Sequence, residues 1–207
     1  MRSCTGRIYQ FSPKTSLNTL TQLKFRMMSP SKLPGGPTQD EVMAVALFRL
    51  GLRAGDLVLD IGCGTGKVSI AAAQKMVHVV AIDRRAEAIL FAKNAAKREG
   101  IKTIEFVCGE AQDFLVADSR IFDCAFVGGS HAILEFLPVL AQRVRRNIVV
   151  NAVLVSTLQT TVETMQDLGI FSEVISVQIA RSHRISGSVM FKPIDPVYVI
   201  VGKGAAC

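Results

Sequence analysis

The chain has 207 residues, 49% hydrophobic and 20% charged, so it is long enough for one sizeable α/β domain and too apolar for a disordered chain. Its formal net charge of +7 favours an anionic partner: nucleic acid, an acidic membrane surface or a polycarboxylate. The five cysteines are odd in number and form no Cys-x-x-Cys pair, which argues for free thiols, a reducing cytoplasmic location and no structural zinc.

The basic charge is concentrated at the start of the chain. Residues 1–39 hold no Asp or Glu but contain six Lys or Arg residues. We expect residues 1–29 to form a basic arm and residues 30–207 to form the folded domain. A solvated arm and an arm that binds an anionic polymer are both open readings. No apolar segment follows the basic start, so a secretory signal is not expected, and no apolar run is long enough for a membrane span.

The predicted elements begin after the turn cluster that ends at Thr38. Thr38 is expected to cap the first helix, with Glu41 as its capping-box partner. Strands and helices then alternate, which is typical of a doubly wound parallel sheet covered on both faces, and the last two strands are expected to form an antiparallel hairpin. The seven predicted strands are Leu57–Ile61, Val77–Asp83, Thr103–Cys108, Phe122–Val127, Asn147–Val155, Glu173–Ala180 and Pro196–Gly202. The predicted helices are Gln39–Leu50, Gly66–Met76, Ala86–Glu99, Ala111–Leu115, His131–Val144 and Leu158–Leu168.

A glycine-rich turn follows the first strand. Its pattern is Asp-x-Gly-x-Gly-x-Gly, formed by Asp60, Gly62, Gly64 and Gly66. A strand, a glycine turn and a helix N-terminus form a cradle in which the backbone can approach a ligand closely. The dinucleotide and phosphate-loop patterns both fail at their required glycines. A tight turn without a ligand is the alternative. The pattern resembles motif I of the class I methyltransferases, which bind S-adenosylmethionine.

Further cofactor contacts are expected at the tips of the second and third strands. Asp83 ends the second strand, where an acid grips a ribose diol in doubly wound nucleotide folds, although it could equally cap the next helix. In the methyltransferase resemblance, the loop at Glu110 and Ala111 meets the adenine ring, and an ordinary turn is the alternative. The predicted cofactor-binding residues are Thr38, Asp60, Gly62, Gly64, Gly66, Asp83, Glu110 and Ala111.

The acceptor is expected beyond the fourth strand, which ends in Val127-Gly-Gly-Ser130. This stretch lacks the Asp/Asn-Pro-Pro-Tyr/Phe motif of nucleic-acid amino-methyltransferases, and its two glycines would let a flat acceptor lie against the backbone. Ser130 could be a helix cap, and His131 could be a proton acceptor, a carboxylate contact or a surface residue at the start of a helix. Arg181 could clamp a carboxylate or lie in a solvated hairpin tip. Ser130, His131 and Arg181 are the predicted catalytic residues, and no metal site is predicted.

Six segments in this order and spacing together resemble the decarboxylating precorrin-6B methyltransferase family, CbiT type, which also forms the C-terminal domain of CobL. They are Pro34–Thr38, Asp60–Gly66, Ala81–Arg84, Val127–Ser130, Asn151–Leu154 and Ile179–Arg181. The resemblance implies a Rossmann-like methyltransferase sheet and S-adenosylmethionine-dependent methylation of a meso carbon, C15, of a cobalt-precorrin-6B or precorrin-type macrocycle. It also implies decarboxylation of the adjacent acetate arm, a place in cobalamin biosynthesis, and a homotetramer. An acidic tetrapyrrole suits the net charge of +7.

Two other functions remain open at this point. An RNA or protein methyltransferase would use the basic arm to hold an anionic polymer, although nucleic acid is the less favoured partner. Phosphate contacts would then give binding a steep salt dependence. A non-catalytic nucleotide-binding subunit would bind the methyl donor stoichiometrically without turning over any acceptor.

Overall fold

The computed structural model describes residues 36–129 and 132–206, which form one seven-stranded sheet between two layers of helices. The predicted basic arm, Ser130 and His131 lie outside the described residues. The strands are β1 (Leu57–Ile61), β2 (His78–Asp83), β3 (Ile104–Cys108), β4 (Phe122–Val127), β5 (Val144–Ala152), β6 (Phe171–Ile185) and β7 (Ser188–Lys203). The helices are α1 (Asp40–Leu50), α2 (Lys67–Ala73), α3 (Ala86–Arg98), α4 (Ala111–Ala117), α5 (Ile133–Arg143) and α6 (Val155–Asp167).

The strand order is β3-β2-β1-β4-β5-β7-β6. Strands β1 to β5 are parallel, whereas β7 runs antiparallel to both β5 and β6. The predicted α/β class, the mostly parallel seven-stranded sheet and the C-terminal antiparallel hairpin are therefore confirmed. The order reverses between β1 and β4, so the loops that leave these strands diverge and open a crevice at the carboxyl edge.

Apolar side chains on both faces of the central strands account for the two helical layers. On one face, α1 packs Val42, Ala46 and Leu50 against Phe126 and Val149, while α2 and α3 cover β1 and β2. On the other face, α5 contributes the largest group of buried side chains, and α4 and α6 complete the layer. The central strands are thus covered on both sides, and their carboxyl ends are the accessible part.

Several predicted boundaries are wrong. Helix α1 begins at Asp40 with Gln39 in the cap position and no side-chain cap bond, so the Thr38–Glu41 capping box does not form. Strand β5 begins at Val144, which was predicted to end a helix, and it ends before the exposed Val153. The apolar run continues into α6, so strand and helix could not be separated there by hydrophobicity alone.

The C-terminal hairpin is much longer than predicted. Its strands have 15 and 16 residues and meet at a two-residue turn, Ser186-Gly187, in which both residues have positive φ. Strand β5 pairs with β7 only from Tyr198 onward, so no third strand of the described chain joins the outer hairpin. Because its side chains are exposed on both faces, it lacks the alternating pattern that marks a half-buried strand. Within the described part of the chain, no helix is long and apolar enough to cross a membrane.

Candidate functional site

A cavity of about 810 Å³ opens at the carboxyl edge of the sheet, where the strand order reverses. It is lined by the loops after the parallel strands, by the segment before α1 and by part of β7. Of the eight predicted cofactor-binding residues, Gly66 does not line it, and the other seven do: Thr38, Asp60, Gly62, Gly64, Asp83, Glu110 and Ala111. The glycine turn and the strand-tip acids therefore line one cavity.

The glycines of the turn serve different purposes. A Cβ on Gly62 would lie 2.7 Å from the backbone nitrogen of Gly129, and one on Gly66 would lie 2.7 Å from Cβ of Ala92 in α3. Both glycines are therefore required by packing. At Gly64 the nearest atom to an added Cβ would be Nη2 of Arg85, at 3.8 Å. Gly64 is thus the point of the turn at which the backbone faces the open cavity.

Gly128 and Gly129 also line the cavity, next to the turn. A Cβ on Gly128 would lie 3.2 Å from the carbonyl oxygen of Gly62 and 3.1 Å from the Phe126 ring. These two glycines were predicted to make room for a flat acceptor. The structure supplies another reason for them, because the loops after β1 and β4 touch backbone to backbone.

Asp60 lies at the floor of the cavity and is only 1% exposed. Its Oδ2 accepts a hydrogen bond from the Ser69 hydroxyl of α2, but its Oδ1 is buried and finds no partner in residues 36–129 and 132–206. Burial raises the pKa of Asp60 to about 7, with the nearby Asp83 adding to the rise and the Ser69 bond opposing it. A hydrogen-bond donor for the unpaired oxygen can come from a ligand in the cavity, and a cationic group would stabilise the ionised form.

The pKa of Asp83 is shifted in the opposite direction to that of Asp60. Burial works against its ionised form, but hydrogen bonds from Arg85 and from the Gly64 amide outweigh that effect and hold its pKa below the usual range. The Arg85 guanidinium grips both carboxylate oxygens, at 2.9 and 3.0 Å, and the Gly64 amide donates to Oδ2 at 2.9 Å. The two acids in this cavity therefore differ in their ionisation near neutral pH. Asp83 is ionised, whereas the pKa of Asp60 lies close to that pH.

Arg85 was not predicted as a site residue. It occupies the N-cap position of α3 and makes no side-chain cap bond. Ser, Thr, Asp or Asn is preferred at that position, and a cation opposes the helix dipole there. This departure from a local rule was the signal that could have identified Arg85 from the sequence.

Lys67 ties the segment before α1 to the glycine turn. Its Nζ donates to the carbonyl oxygen of Thr38 at 2.6 Å and pairs with Asp40 at 2.7 Å. Thr38 is thereby held at the cavity wall by its backbone. Lys67 lines the cavity as well, so it places a positive charge beside the opening.

The predicted catalytic residues are not brought together by the described residues. Ser130 and His131 lie outside them. Arg181 lies on β6, does not line the cavity, is 48% exposed at its side chain, and pairs with Glu41 at 2.7 Å. Two polar side chains that were not predicted, Asn151 and Asp195, line the side of the cavity nearest β5 and β7. Among the described residues, no three His, Cys, Asp or Glu side chains cluster in a way that could hold a metal ion.

Comparison with known proteins connects the chain to one family. Residues 34–202 match the family model of the precorrin methyltransferase domain. A Methanosarcina mazei protein named as a probable cobalt-precorrin-6B C(15)-methyltransferase (decarboxylating) is 47% identical over 173 residues, which is 82% of this chain and 94% of that protein. The structure of precorrin 8W decarboxylase from Methanobacterium thermoautotrophicum has a TM-score of 0.79 at 30% identity, covering 84% of this chain and 95% of that one. A precorrin-6y C5,15-methyltransferase from Geobacter metallireducens has a TM-score of 0.77 at 30% identity, covering 86% and 95%.

The raised pKa of Asp60 predicts a pH-dependent stability. The folded carboxyl titrates at about 7, whereas an unfolded Asp titrates at about 3.9. The folded state therefore binds the proton more tightly, and the stability that protonation gives is lost as pH rises between these two values. Asp60→Asn should remove this part of the slope and raise the free energy of unfolding near pH 8. Urea denaturation at several pH values measures both effects.

A second variant tests the direction of the shift. Ser69→Ala removes the hydrogen bond that lowers the pKa of Asp60, so the titration should move to higher pH. If Asp60→Asn has the same pH profile as the wild type, Asp60 does not titrate in this range.

Proposed function

The chain belongs to the precorrin methyltransferase family, and we propose that it methylates C15 of cobalt-precorrin-6B, or of the corresponding precorrin, with decarboxylation of the adjacent acetate arm. The chain is a methyltransferase, and its proposed place is in cobalamin biosynthesis. The observation that carries the proposal is the glycine-turn cavity with its two differently poised acids, which lies inside the matched region.

S-adenosylmethionine is the proposed methyl donor. The buried, unpaired Oδ1 of Asp60 suits the ammonium group at the amino acid end of this cofactor. Asp83, beside the open face of Gly64, suits the ribose diol, whose hydroxyls would replace Arg85 on its carboxylate, and Glu110 with Ala111 suits the adenine edge. When bound, this cofactor supplies an electrophilic methyl group on a sulfonium.

The chain's own residues then need to orient the acceptor more than to exchange protons. The nucleophilic carbon forms its new bond as the methyl–sulfur bond breaks, and in the decarboxylation the ring takes the electron pair as carbon dioxide leaves. Alignment and exclusion of water can lower most of such a barrier. Ser130 and His131, which follow Gly129 in the chain, stay candidate contacts for the acceptor.

An acidic macrocycle also fits the net charge of the chain, which is +7. The cavity itself is lined by three cations, Arg84, Arg85 and Lys67, and by four acids, Asp60, Asp83, Glu110 and Asp195, so the excess of positive charge belongs to the chain as a whole. Complementary charge of this kind draws in a carboxylate-fringed ligand and fixes its orientation. An RNA or protein methyltransferase is the alternative that the functional test must separate.

Donor binding should depend on the open face of Gly64. Gly64→Val places a branched side chain between the turn and the cavity, and calorimetry should show that binding of S-adenosylmethionine and of its demethylated product is lost. Gly100→Val is the matched control, because Gly100 also has positive φ and open space around it, at the end of α3. Both variants should lose stability, on the order of 1–2 kcal/mol or more from backbone strain. Normal donor binding in Gly64→Val would refute the donor assignment.

Turnover of the macrocycle is the direct test of function. Purified protein incubated with a precorrin-6B pool and S-adenosylmethionine should change the visible spectrum of the macrocycle and release carbon dioxide in proportion to methyl transfer. Methylation of transfer RNA with no change in any precorrin would favour the alternative. In that case a salt titration of RNA binding should give a steep slope.

We propose that Arg181 contacts the carboxylates of the acceptor once it leaves Glu41. Arg181→Ala should then raise the acceptor KM by about three- to tenfold, as expected for a partly solvated charge-assisted hydrogen bond, and leave donor binding unchanged. Glu41→Gln should lower the same KM, because it releases the guanidinium. If neither variant changes KM, Arg181 only joins the hairpin to α1.

We also propose that the protein is a cytoplasmic homotetramer. The outer hairpin supports self-association, because it carries exposed apolar side chains at Ile185, Val189, Met190 and Phe191. The thiols of Cys63, Cys108 and Cys124 are free, which suits a reducing compartment.

Light scattering at micromolar concentration should give the mass of a tetramer, and Phe191→Asp should lower it. Phe48→Asp is the matched control, because Phe48 is similarly exposed but lies on α1 and not on the hairpin. A wild-type monomer would refute the tetramer.

A further inference from the structure

Asn151 holds a distinctive place at the carboxyl end of β5. It pairs with Val199 of β7, and its neighbour Val150 pairs with Val127, so Asn151 lies level with the beginning of the Gly128–Gly129 loop. Asn151 is one of the residues that line the cavity. Two strand spacings, about 10 Å, separate β5 from β1, so Asn151 lies on the opposite side of β4 from the donor acids.

The amide oxygen of Asn151 is buried and has no hydrogen-bond partner among the described residues. Asn147, four residues earlier on the same strand, offers a direct comparison. Its Nδ2 donates to the carbonyl oxygens of Arg49 and Leu50, both at 3.1 Å, and its Oδ1 accepts from Lys203 at 3.0 Å. Asn147 is thus a structural residue that holds the end of α1. The unpaired oxygen of Asn151 lowers stability and calls for another explanation.

A β-bulge brings a second acceptor group to the same side. Between the pairs Ile194–Ile179 and Val197–Val177, β7 has two residues where β6 has one. Such a bulge bends the strand and redirects a side chain, and it accommodates Pro196. As a result Ile194, Asp195 and Val197 all line the cavity, with the Asp195 carboxylate at its exposed rim.

We propose that Asn151, with Asp195 at the rim, is the positioning residue for the acceptor. The inference rests on the proposed function and adds to it the group of the acceptor that is recognised. An amide oxygen and a carboxylate both accept hydrogen bonds, so they select a donor on the substrate. A metal-free precorrin offers the N–H groups at the centre of its ring, whereas in a cobalt-precorrin the ring nitrogens bind the metal. The macrocycle's carboxylates are better received across the cavity by Arg84 and Lys67. The two sides of the cavity thereby hold the macrocycle in one position relative to the methyl donor.

Asn151→Leu is the central test, because it keeps the approximate volume but removes the amide. The variant should be at least as thermally stable as the wild type, since a buried unpaired oxygen is lost. Donor affinity by calorimetry should stay within about twofold, whereas kcat with the precorrin-6B pool should fall at least tenfold. Asn151→Asp retains an acceptor oxygen and should keep more turnover than the leucine variant. Asn147→Leu should do the reverse, with a lower Tm and unchanged turnover of the folded protein.

Each alternative outcome has a distinct meaning. A leucine variant as active as the wild type overturns the role of Asn151 and leaves the proposed function intact. A Tm loss like that of Asn147→Leu makes Asn151 a structural residue, and an equal loss of donor affinity moves it to the donor site; either result overturns the inference. If the wild type converts no macrocycle, the proposed function fails and this inference fails with it.

Discussion

The architecture of the site depends on one close contact between two backbones. The Gly128 amide donates to the Ile61 carbonyl at 2.8 Å, while the amides of Gly62 and Cys63 donate to Ile82 at 2.8 and 2.9 Å. The loop after β1 is therefore bonded to the strands on both of its sides. Because no side chain fits between Gly62 and Gly129, the two loops cannot move apart or slide independently without losing these bonds. The donor side and the acceptor side of the cavity are joined at this point.

This rigid junction carries an unusual arrangement of charge. Asp83 is ion-paired with Arg85 and accepts a hydrogen bond from the Gly64 amide, so its carboxylate is held beside the glycine turn. Asp60 is buried with only one of its two carboxylate oxygens hydrogen-bonded by the described residues, so its protonation depends on the ligand that enters the cavity. A cation that binds near Asp60 would release this proton, which couples ligand binding to pH. The two acids differ in pKa because the Arg85 guanidinium is bonded to Asp83 and not to Asp60.

The parts that could be predicted are those encoded by neighbouring residues. The Asp60–Gly66 turn and Asp83 at a strand tip are local patterns, and they meet in the cavity as expected. Asn151 and Asp195 could not be identified in this way. Asn151 is distinguished by an amide oxygen that has no hydrogen-bond partner among the described residues once β7 has paired with β5. Asp195 is distinguished by a β-bulge that is defined only by the pairing of β6 with β7. The capping box does not form because Gln39, and not Thr38, is the N-cap residue, and Glu41 instead accepts a hydrogen bond from Arg181, 140 residues away in the sequence.

The strand order also has a consequence for the nascent chain. β1 is made early, at residues 57–61, but one of its edges is completed only by β4, at residues 122–127. Until β4 has been synthesised, one edge of this apolar strand has unpaired backbone N–H and C=O groups. Such an edge can associate with other chains. Asp60 is the fourth of its five residues, and in the unfolded chain its carboxyl is ionised at neutral pH. A charge inside an apolar strand opposes its association with other chains, so the acid that is later buried disfavours aggregation before the sheet is complete.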